Sequence, residues 1–328
     1  MLLTIVIPVY NTAAYLEACV QSVLSGDHQD CEILLVDDGS TDGVCPALCD
    51  RLAAQHPALI RVIHQENKGQ GGARNTGLEA AAGTYLFFLD SDDTIVPEAL
   101  SAFKTAIART HAEVLAFNFF SDDGAGHLTP MSANYAQYNG SFTIRERPEF
   151  LLSLPAPWGR IWSRDLFLRS GIRFPSRVWY EDLRASVKLL VAARSIVTLP
   201  DHLYRYLQRP GSTMHSGNTE RCREILLAFD DLLDWFQAEG ILEPYRNILC
   251  RLCVDHAYLA ASVRVLLDDP THPLLGEIQN YLQEHFPNYR QNPYLQQLPA
   301  SRKLAFRLLE RHHYRLLRLL FRTKDKLM

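Results

Sequence analysis

The sequence predicts an α/β fold, a mainly parallel sheet flanked by helices, followed by a C-terminal helical region. Three observations predict it. Up to about residue 120, short apolar runs alternate with helical periodicity, the pattern of strand–helix–strand units. Residues 2–9 are apolar nearly throughout, as a strand buried on both faces must be. From about residue 219 onward, apolar residues recur at helical spacing and prolines mark the connections.

The elements follow in order. After the strand at 2–9, Asn11 and Thr12 are placed to cap a helix over 13–25, and Gly26 stops it. Residues 33–36 form the second strand, and Ser40, Thr41 and Asp42 cap a helix ending near Gln55. A third strand is expected at 59–63. A glycine-rich loop, Gly69-Gln70-Gly71-Gly72, then opens a helix that runs to Ala82. The fourth strand is 85–89. Pro97 starts another helix, since proline suits the first helical position, and 114–120 is a further strand. Residues 121–218 carry turn signals and a concentration of Trp and Tyr, which reads as a substrate-facing extension. Helices are expected at 222–236 and 242–267.

Composition bounds the function. The chain has 328 residues, 47% of them hydrophobic and 21% charged, which excludes a disordered or fibrous protein. A net charge of −4 excludes a whole-chain polyanion binder. Seven cysteines and a start that runs straight into a strand imply reduced thiols in a cytosolic protein. The longest apolar stretch, 248–267, contains Arg251, Asp255 and Arg264, so it reads as a buried amphipathic helix and not a membrane span.

The last stretch, 301–328, is distinct. Nine basic residues face two acidic ones, a balance of +7, which leaves −11 for the rest of the chain. Arg307, Arg311, Arg315, Arg318 and Arg322 step by four, four, three and four, so one helix would carry them on one face. Such a basic amphipathic helix suits an anionic membrane surface. The alternatives are a solvated helix packed on the body and, with no aromatic binding module to support it, nucleic acid.

Three acidic constellations are candidates for chemistry. Asp90-Ser91-Asp92-Asp93 follows the fourth strand. Ligands of open α/β sheets bind beyond the carboxyl ends of strands, and two carboxylates one residue apart suit a hard divalent cation together with substrate phosphates. Turn or cap chemistry is the alternative. Asp37-Asp38-Gly39-Ser40 has the same placement after the second strand, where a carboxylate accepts hydrogen bonds from a base or ribose or else caps the next helix. Glu181-Asp182 offers a general base, or an acidic pair on a helix dipole. The glycine stretch suits a phosphate near a helix N-terminus, but Arg74 stands where a dinucleotide fingerprint needs glycine, and no GxxxxGK loop exists. Cys250 and Cys253 form a CxxC without a second pair, so zinc is not expected.

Taken together, the chain resembles a family 2 glycosyltransferase. The resemblance rests on Thr4-Ile5-Val6-Ile7-Pro8-Val9-Tyr10-Asn11, Leu35-Val36-Asp37-Asp38-Gly39-Ser40-Thr41-Asp42, Asn67-Lys68-Gly69, Gly72-Ala73-Arg74-Asn75-Thr76-Gly77, and Phe87 and Leu89 leading into Asp90-Ser91-Asp92-Asp93. It covers roughly residues 1–120 and continues more weakly through Trp158-Gly159-Arg160, Tyr180-Glu181-Asp182 and Arg209-Pro210-Gly211-Ser212-Thr213-Met214-His215. It implies the Rossmann-like GT-A fold, with a nucleotide-sugar-binding half (1–120), an acceptor-binding half (121–218), a helical domain (219–300) and the basic tail (301–328).

The resemblance also implies an activity, a metal-dependent, inverting transfer of a hexosyl or N-acetylhexosaminyl group. The donor would be a UDP-sugar and the acceptor a glycan or lipid-linked hydroxyl, as in bacterial polysaccharide or lipopolysaccharide synthesis. By the same token Pro8, Tyr10 and Asp38 line the base and ribose, flanked by Asn11, Ala73 and Arg74. Asp90 and Asp92 form the manganese or magnesium motif, with His215 near it. Arg209 and Ser212 approach the diphosphate. Asp182 is the base and Glu181 its neighbour, while Trp158, Arg160 and Trp179 decide the substrate. The implied location is cytoplasmic, peripheral on the inner face of the membrane, with no nucleic-acid partner. The competing readings are a nucleotidyltransferase and a non-catalytic nucleotide- or glycan-binding protein on the same fold.

Overall fold

The structure, a computed structural model, describes residues 1–131, 135–209 and 219–324. The chain divides into two compact units, Met1–Met214 and His215–Met328.

The first unit alternates strands and helices as its periodicity requires: β1 (Leu3–Val9), α1 (Ala13–Leu24), β2 (Cys31–Asp37), α2 (Cys45–Gln55), β3 (Ile60–His64), α3 (Gly69–Ala80), β4 (Tyr85–Phe88), β5 (Thr94–Ile95), α4 (Ala99–Thr110) and β6 (Val114–Asp122). It continues with β7 (Leu128–Met131), β8 (Arg160–Ser163), α5 (Arg164–Ser170), α6 (Glu181–Ala192) and β9 (Ile196–Leu207). Among the described residues the strands form one sheet, ordered β3-β2-β1-β4-β8-β6-β9-β5, with β7 paired to β6. Strands β3, β2, β1 and β4 are mutually parallel, β8 runs against β4 and β6, and β9 runs parallel to β6. All seven residues of β1 and all seven of β2 are buried, which is why both read as mostly apolar runs.

This order sets the position of the site. The chain leaves β1 toward β2 and β3, then returns to place β4 on the other side of β1. The strand order therefore reverses between β1 and β4, and the carboxyl ends of β1, β2 and β4 open on one edge, where doubly wound sheets bind ligands. Aromatic packing fixes β4 from both faces. Phe87 meets Phe103, Phe117 and Tyr204 with centroids 5.3, 6.1 and 6.3 Å apart, and Phe88 meets Phe174 and Phe167 at 5.4 and 6.0 Å.

Two local expectations differ from what is found. Residues 69–72 are helical and form the start of α3, not a loop before it. Neither Asn11 nor Thr12 caps α1: the Thr12 hydroxyl lies 2.8 Å from the Ser91 hydroxyl, and the Asn11 side chain turns to Thr41 and Asp42. Asp42 does hold the start of α2, accepting the N–H groups of Val44 and Cys45.

The second unit is helical: α7 (Glu224–Ala238), α8 (Leu242–Cys253), a π-helical segment (Val254–Ala261), α9 (Ser262–Asp268), α10 (Leu274–His285), α11 (Pro293–Gln296), α12 (Ala300–Glu310) and α13 (Tyr314–Lys324). Its core takes Ile225, Phe229, Leu232 and Phe236 from one face of α7. The basic tail is two helices and not one, because His312 adopts a left-handed conformation (φ 55°) between them. The expected stripe of five arginines is broken there, and Arg318 instead donates to the carbonyls of Leu267 and Asp268. All seven cysteines are buried and free of disulfides. Among the described residues no helix is long and apolar enough to cross a membrane.

The α3–β1 contact is close enough to test. A Cβ on Gly77 would lie 2.2 Å from a methyl of buried Val6. Helix propensity favours alanine over glycine by about 1 kcal/mol, whereas overpacking a core costs about 1–3 kcal/mol. Gly77→Ala is therefore expected to lower unfolding stability by up to about 2 kcal/mol in a urea titration, and a stabilised variant would contradict the packing.

Candidate active site

The pocket edge is built first by the loops after β1 and β2. Pro8 is buried in β1, two register positions past the last β1–β4 pair, and Tyr10 is exposed beyond it. Asn11 is left-handed (φ 53°), and its side-chain carbonyl accepts the N–H groups of Thr41 (2.8 Å) and Asp42 (3.1 Å), clipping the two loops together. Asp37 organises the turn: one oxygen accepts Ser40 N–H, and the other meets His64 Nδ1 at 2.8 Å. His64 reaches Asp50 with its second nitrogen, and the two carboxylates raise its pKa. Asp38 is buried, and its Oδ1 accepts Gln65 Nε2 (2.6 Å) and Lys68 N–H (2.7 Å). Lys68 lies in the Asn67-Lys68-Gly69 stretch that carries the resemblance, whereas His64 and Gln65 were not singled out from the sequence; only their place at the end of β3 could have pointed to them.

Helix α3 joins this edge to the acidic centre. A Cβ on Gly71 would lie 2.3 Å from the Pro175 carbonyl oxygen, and one on Gly69 would lie 3.0 Å from Arg177 N. The glycines thus let the 174–177 segment press on the first turn of α3. Asn75 exchanges two hydrogen bonds with the Phe174 backbone, and Arg177 donates to the carbonyls of Asn67 and Lys68. The segment leads to Trp179, which is half-buried, and to Tyr180, whose left-handed backbone (φ 63°) is strained for a bulky residue. Helix α6 starts at the next residue, with Glu181 and Asp182 in its first turn.

Arg74 is the centre of the arrangement. It is 2% exposed and follows buried Ala73. Its Nη1 donates to Glu181 Oε1 at 2.8 Å and its Nη2 to Asp90 Oδ1 at 3.0 Å, with the guanidinium over the Phe174 ring. Gln70 also donates to Asp90 Oδ1. Asp92 Oδ2 accepts Arg209 Nε at 2.6 Å, and the Arg209 guanidinium lies over Tyr15. Asp93 is buried and receives hydrogen bonds from the Tyr204 hydroxyl and Leu207 N–H.

Electrostatics follow from crowding. Burial, with Asp92 beside it, raises the Asp90 pKa against the pull of Arg74. Burial, then Asp90 and Asp92, raises Asp93 well above the usual carboxylate range. Burial and the adjacent Glu181 push Asp182 up to about 7. Five acidic side chains therefore crowd around the two guanidiniums of Arg74 and Arg209. That crowding, with hard oxygen donors on Asp90 and Asp92, fits a divalent cation. Among the described residues no three His, Cys, Asp or Glu side chains form a complete protein cage, and the fit is to the pattern in which substrate phosphates complete the shell.

Other expected residues stand elsewhere. Arg160 is 1% exposed, donating to the Ala156 carbonyl and the Ser153 hydroxyl, so it holds the 153–160 turn. Trp158 is buried against Tyr204 and Tyr206, stacked at 4.4 and 5.6 Å. Both are engaged in local packing. Ser212 and His215 lie outside the described residues.

Comparison with known proteins gives a consistent result. The family model for "Glycosyl transferase family 2" matches residues 4–167. The glycosyltransferase GlyG of Streptococcus pneumoniae is 30% identical over 231 residues, covering 66% of this chain and 73% of that protein. EpsJ of Bacillus subtilis, described as an uncharacterized glycosyltransferase, is 30% identical over 219 residues, covering 64% of this chain and 62% of that one. Among solved structures, residues 1–349 of S. aureus TarS in complex with UDP-GlcNAc share the fold (TM-score 0.58, 22% identity, 89% of this chain and 92% of that one). So does the mannosyltransferase PcManGT of Pyrobaculum calidifontis in complex with GDP-Man and Mn²⁺ (TM-score 0.55, 18% identity, 99% and 87%).

The Arg74 bridge has a measurable cost of removal. Taking one partner from a buried ion pair costs about 3–5 kcal/mol, and Asp90 and Glu181 keep slight exposure (16% and 13%) that moderates this. Arg74→Ala is expected to lose about 3 kcal/mol in a urea titration with chelator present. A loss no larger than that of an average surface substitution would show that the bridge is incidental.

Proposed function

The chain belongs to glycosyl transferase family 2, and from that premise we propose a metal-dependent, inverting transfer of a hexosyl or N-acetylhexosaminyl group. The donor is a UDP-sugar and the acceptor a glycan or lipid-linked hydroxyl in bacterial polysaccharide or lipopolysaccharide synthesis. One observation carries the reading. Arg74 bonds Asp90 of the acidic turn and Glu181, the neighbour of Asp182, so the diphosphate end and the base end meet at one place.

The residue roles divide by position. Pro8, Tyr10, Asn11 and Asp38 border the base and ribose. The free oxygens of Asp90 and Asp92 would hold manganese or magnesium, and the sequence resemblance adds His215 as a further candidate ligand. When bound, the cation neutralises charge developing on the leaving diphosphate. Arg209 and Ser212 serve the same diphosphate. Ala73 and Arg74 stand behind the pocket, and the Arg74 guanidinium acts as a counter-charge, since both its terminal nitrogens are engaged. Trp179 borders the acceptor side.

The reaction is a single displacement. The acceptor oxygen bonds to the anomeric carbon from the face opposite the diphosphate. The bond from that carbon to the phosphate oxygen breaks, and its electron pair stays on the diphosphate. Asp182 takes the acceptor's proton. A carboxylate raised toward 7 is a stronger base than an ordinary one and still ionises near neutrality.

The tail supports a peripheral location on the inner face of an anionic membrane. Leu304, Leu316, Leu319 and Leu320 are exposed, and so are Arg307, Arg311 and Arg315. Polar and apolar groups of this kind together suit a lipid headgroup boundary.

Two outcomes test the reading. Asp182→Asn is expected to retain UDP-sugar binding by calorimetry while transfer falls by about 10²- to 10⁴-fold. Because the Asp182 pKa is raised, the base is protonated below about 7 and ionised above it, so wild-type kcat/KM climbs through that pH and levels off. Ordinary turnover by Asp182→Asn removes the base assignment. For the tail, each basic residue near an anionic surface contributes about 1 kcal/mol. Arg311→Ser with Arg315→Ser should therefore weaken sedimentation with phosphatidylserine vesicles by roughly 30-fold, and undiminished sedimentation refutes the membrane contact.

A further inference from the structure

Asp93 is spent on the protein itself. Its Oδ2 accepts the Tyr204 hydroxyl at 2.6 Å, and its Oδ1 accepts Leu207 N–H at 2.7 Å. The same Tyr204 oxygen receives the N–H of Asp90 at 3.4 Å. The phenol has little freedom to move. Its ring is fully buried, stacked 4.4 Å from Trp158 at an interplanar angle of 13°, with Phe87 edge-on at 87°. Trp158 is itself held edge-on by Phe119.

The turn that carries Asp90 and Asp92 is thus pinned from the end of β9. Tyr204 holds the Asp90 backbone and the Asp93 carboxylate, and Leu207 holds the other Asp93 oxygen. Two residues further on, Arg209 holds Asp92. The turn closes on itself through Asp93 N–H to the Asp90 carbonyl at 3.0 Å.

We propose that Tyr204, seated on Trp158, and Asp93 are positioning residues that hold the Asp90 and Asp92 carboxylates at the spacing a divalent cation requires. The proposal rests on the reading that those two carboxylates bind the cation. A ligand pair that must be gathered on binding loses affinity to the ordering it requires. Partners that orient metal ligands are worth about 10- to 100-fold in metal affinity. Tyr204→Phe keeps the ring and its stack and deletes only the hydroxyl that meets Asp93 and Asp90. Within the Trp- and Tyr-rich stretch, Trp158 has the task of seating this phenol.

The test is Mn²⁺ titration by calorimetry, with UDP present, on wild type, Tyr204→Phe, Asp93→Asn and Asp92→Ala. Metal-free UDP binding and thermal melting are measured on the same samples. Tyr204→Phe is expected to weaken Mn²⁺ binding by about 10- to 100-fold, with metal-free UDP binding retained. Its KM for Mn²⁺ rises while kcat at saturating Mn²⁺ holds. Asp93→Asn, which keeps the shape of the side chain, should shift Mn²⁺ affinity in the same direction and serves if Tyr204→Phe does not fold. Unchanged Mn²⁺ affinity in these variants overturns the proposal, as does a loss of Mn²⁺ and metal-free UDP binding in equal proportion, the mark of a purely structural role. Asp92→Ala separates the two levels. If it binds Mn²⁺ as wild type does, the cation reading itself fails. If it loses Mn²⁺ while Tyr204→Phe does not, only the positioning role falls.

Discussion

Arg74 lies almost wholly out of water, with one guanidinium nitrogen on Asp90 and another on Glu181. An unpaired charge at that depth costs several kcal/mol. So does a cluster of carboxylates without a counter-ion. The bridge relieves both and imposes a geometry in doing so. Residue 74 sits in α3, residue 90 just past β4 and residue 181 at the start of α6, so three elements far apart in sequence are set by one planar, five-donor group. Lysine, a point charge, does not match that fork.

The bridge needs a close approach between α3 and the chain that leads into α6. Gly69 and Gly71 provide it, because a Cβ at either would run into the 174–177 backbone. Asn75 then locks the approach through two bonds to Phe174. Along the first turns of α3 lie Lys68, whose N–H meets Asp38, Gln70, which meets Asp90, and Arg74 itself. One short helix thereby relates the sheet edge after β1 and β2 to the acidic turn and to the start of α6. The left-handed Tyr180 that precedes α6 is the strained point of this path.

How much of this was legible in the sequence depends on the range of the interaction. Strands β1, β2 and β4 announced themselves because burial on both faces leaves an apolar run, and Asp38, Asp90 and Asp92 followed from standing at their ends. Tertiary contacts overrode local signals elsewhere. Residues 69–72, three of them glycine, read as a loop by propensity, yet they are helical, with the 174–177 segment lying against them. Residue type alone did not reveal how deeply Arg160 and Trp158 are buried or that they pack locally. The tail read as one helix because nothing around His312 is a strong breaker. Tyr204 lies 111 residues from Asp93 in sequence, and no local pattern links the two.

The claim on which the account depends is that the acidic turn, the base helix and Arg74 act as one assembly around a cation-held diphosphate. Anomalous scattering from crystals grown with UDP and Mn²⁺ tests it directly. The account predicts one manganese peak within coordination distance of Asp92 and the diphosphate oxygens, Arg74 still bonded to both Asp90 and Glu181, and Asp182 facing the sugar side of the diphosphate. A manganese peak away from Asp92, or an Arg74 guanidinium moved onto the diphosphate with Asp90 and Glu181 parted, would contradict it.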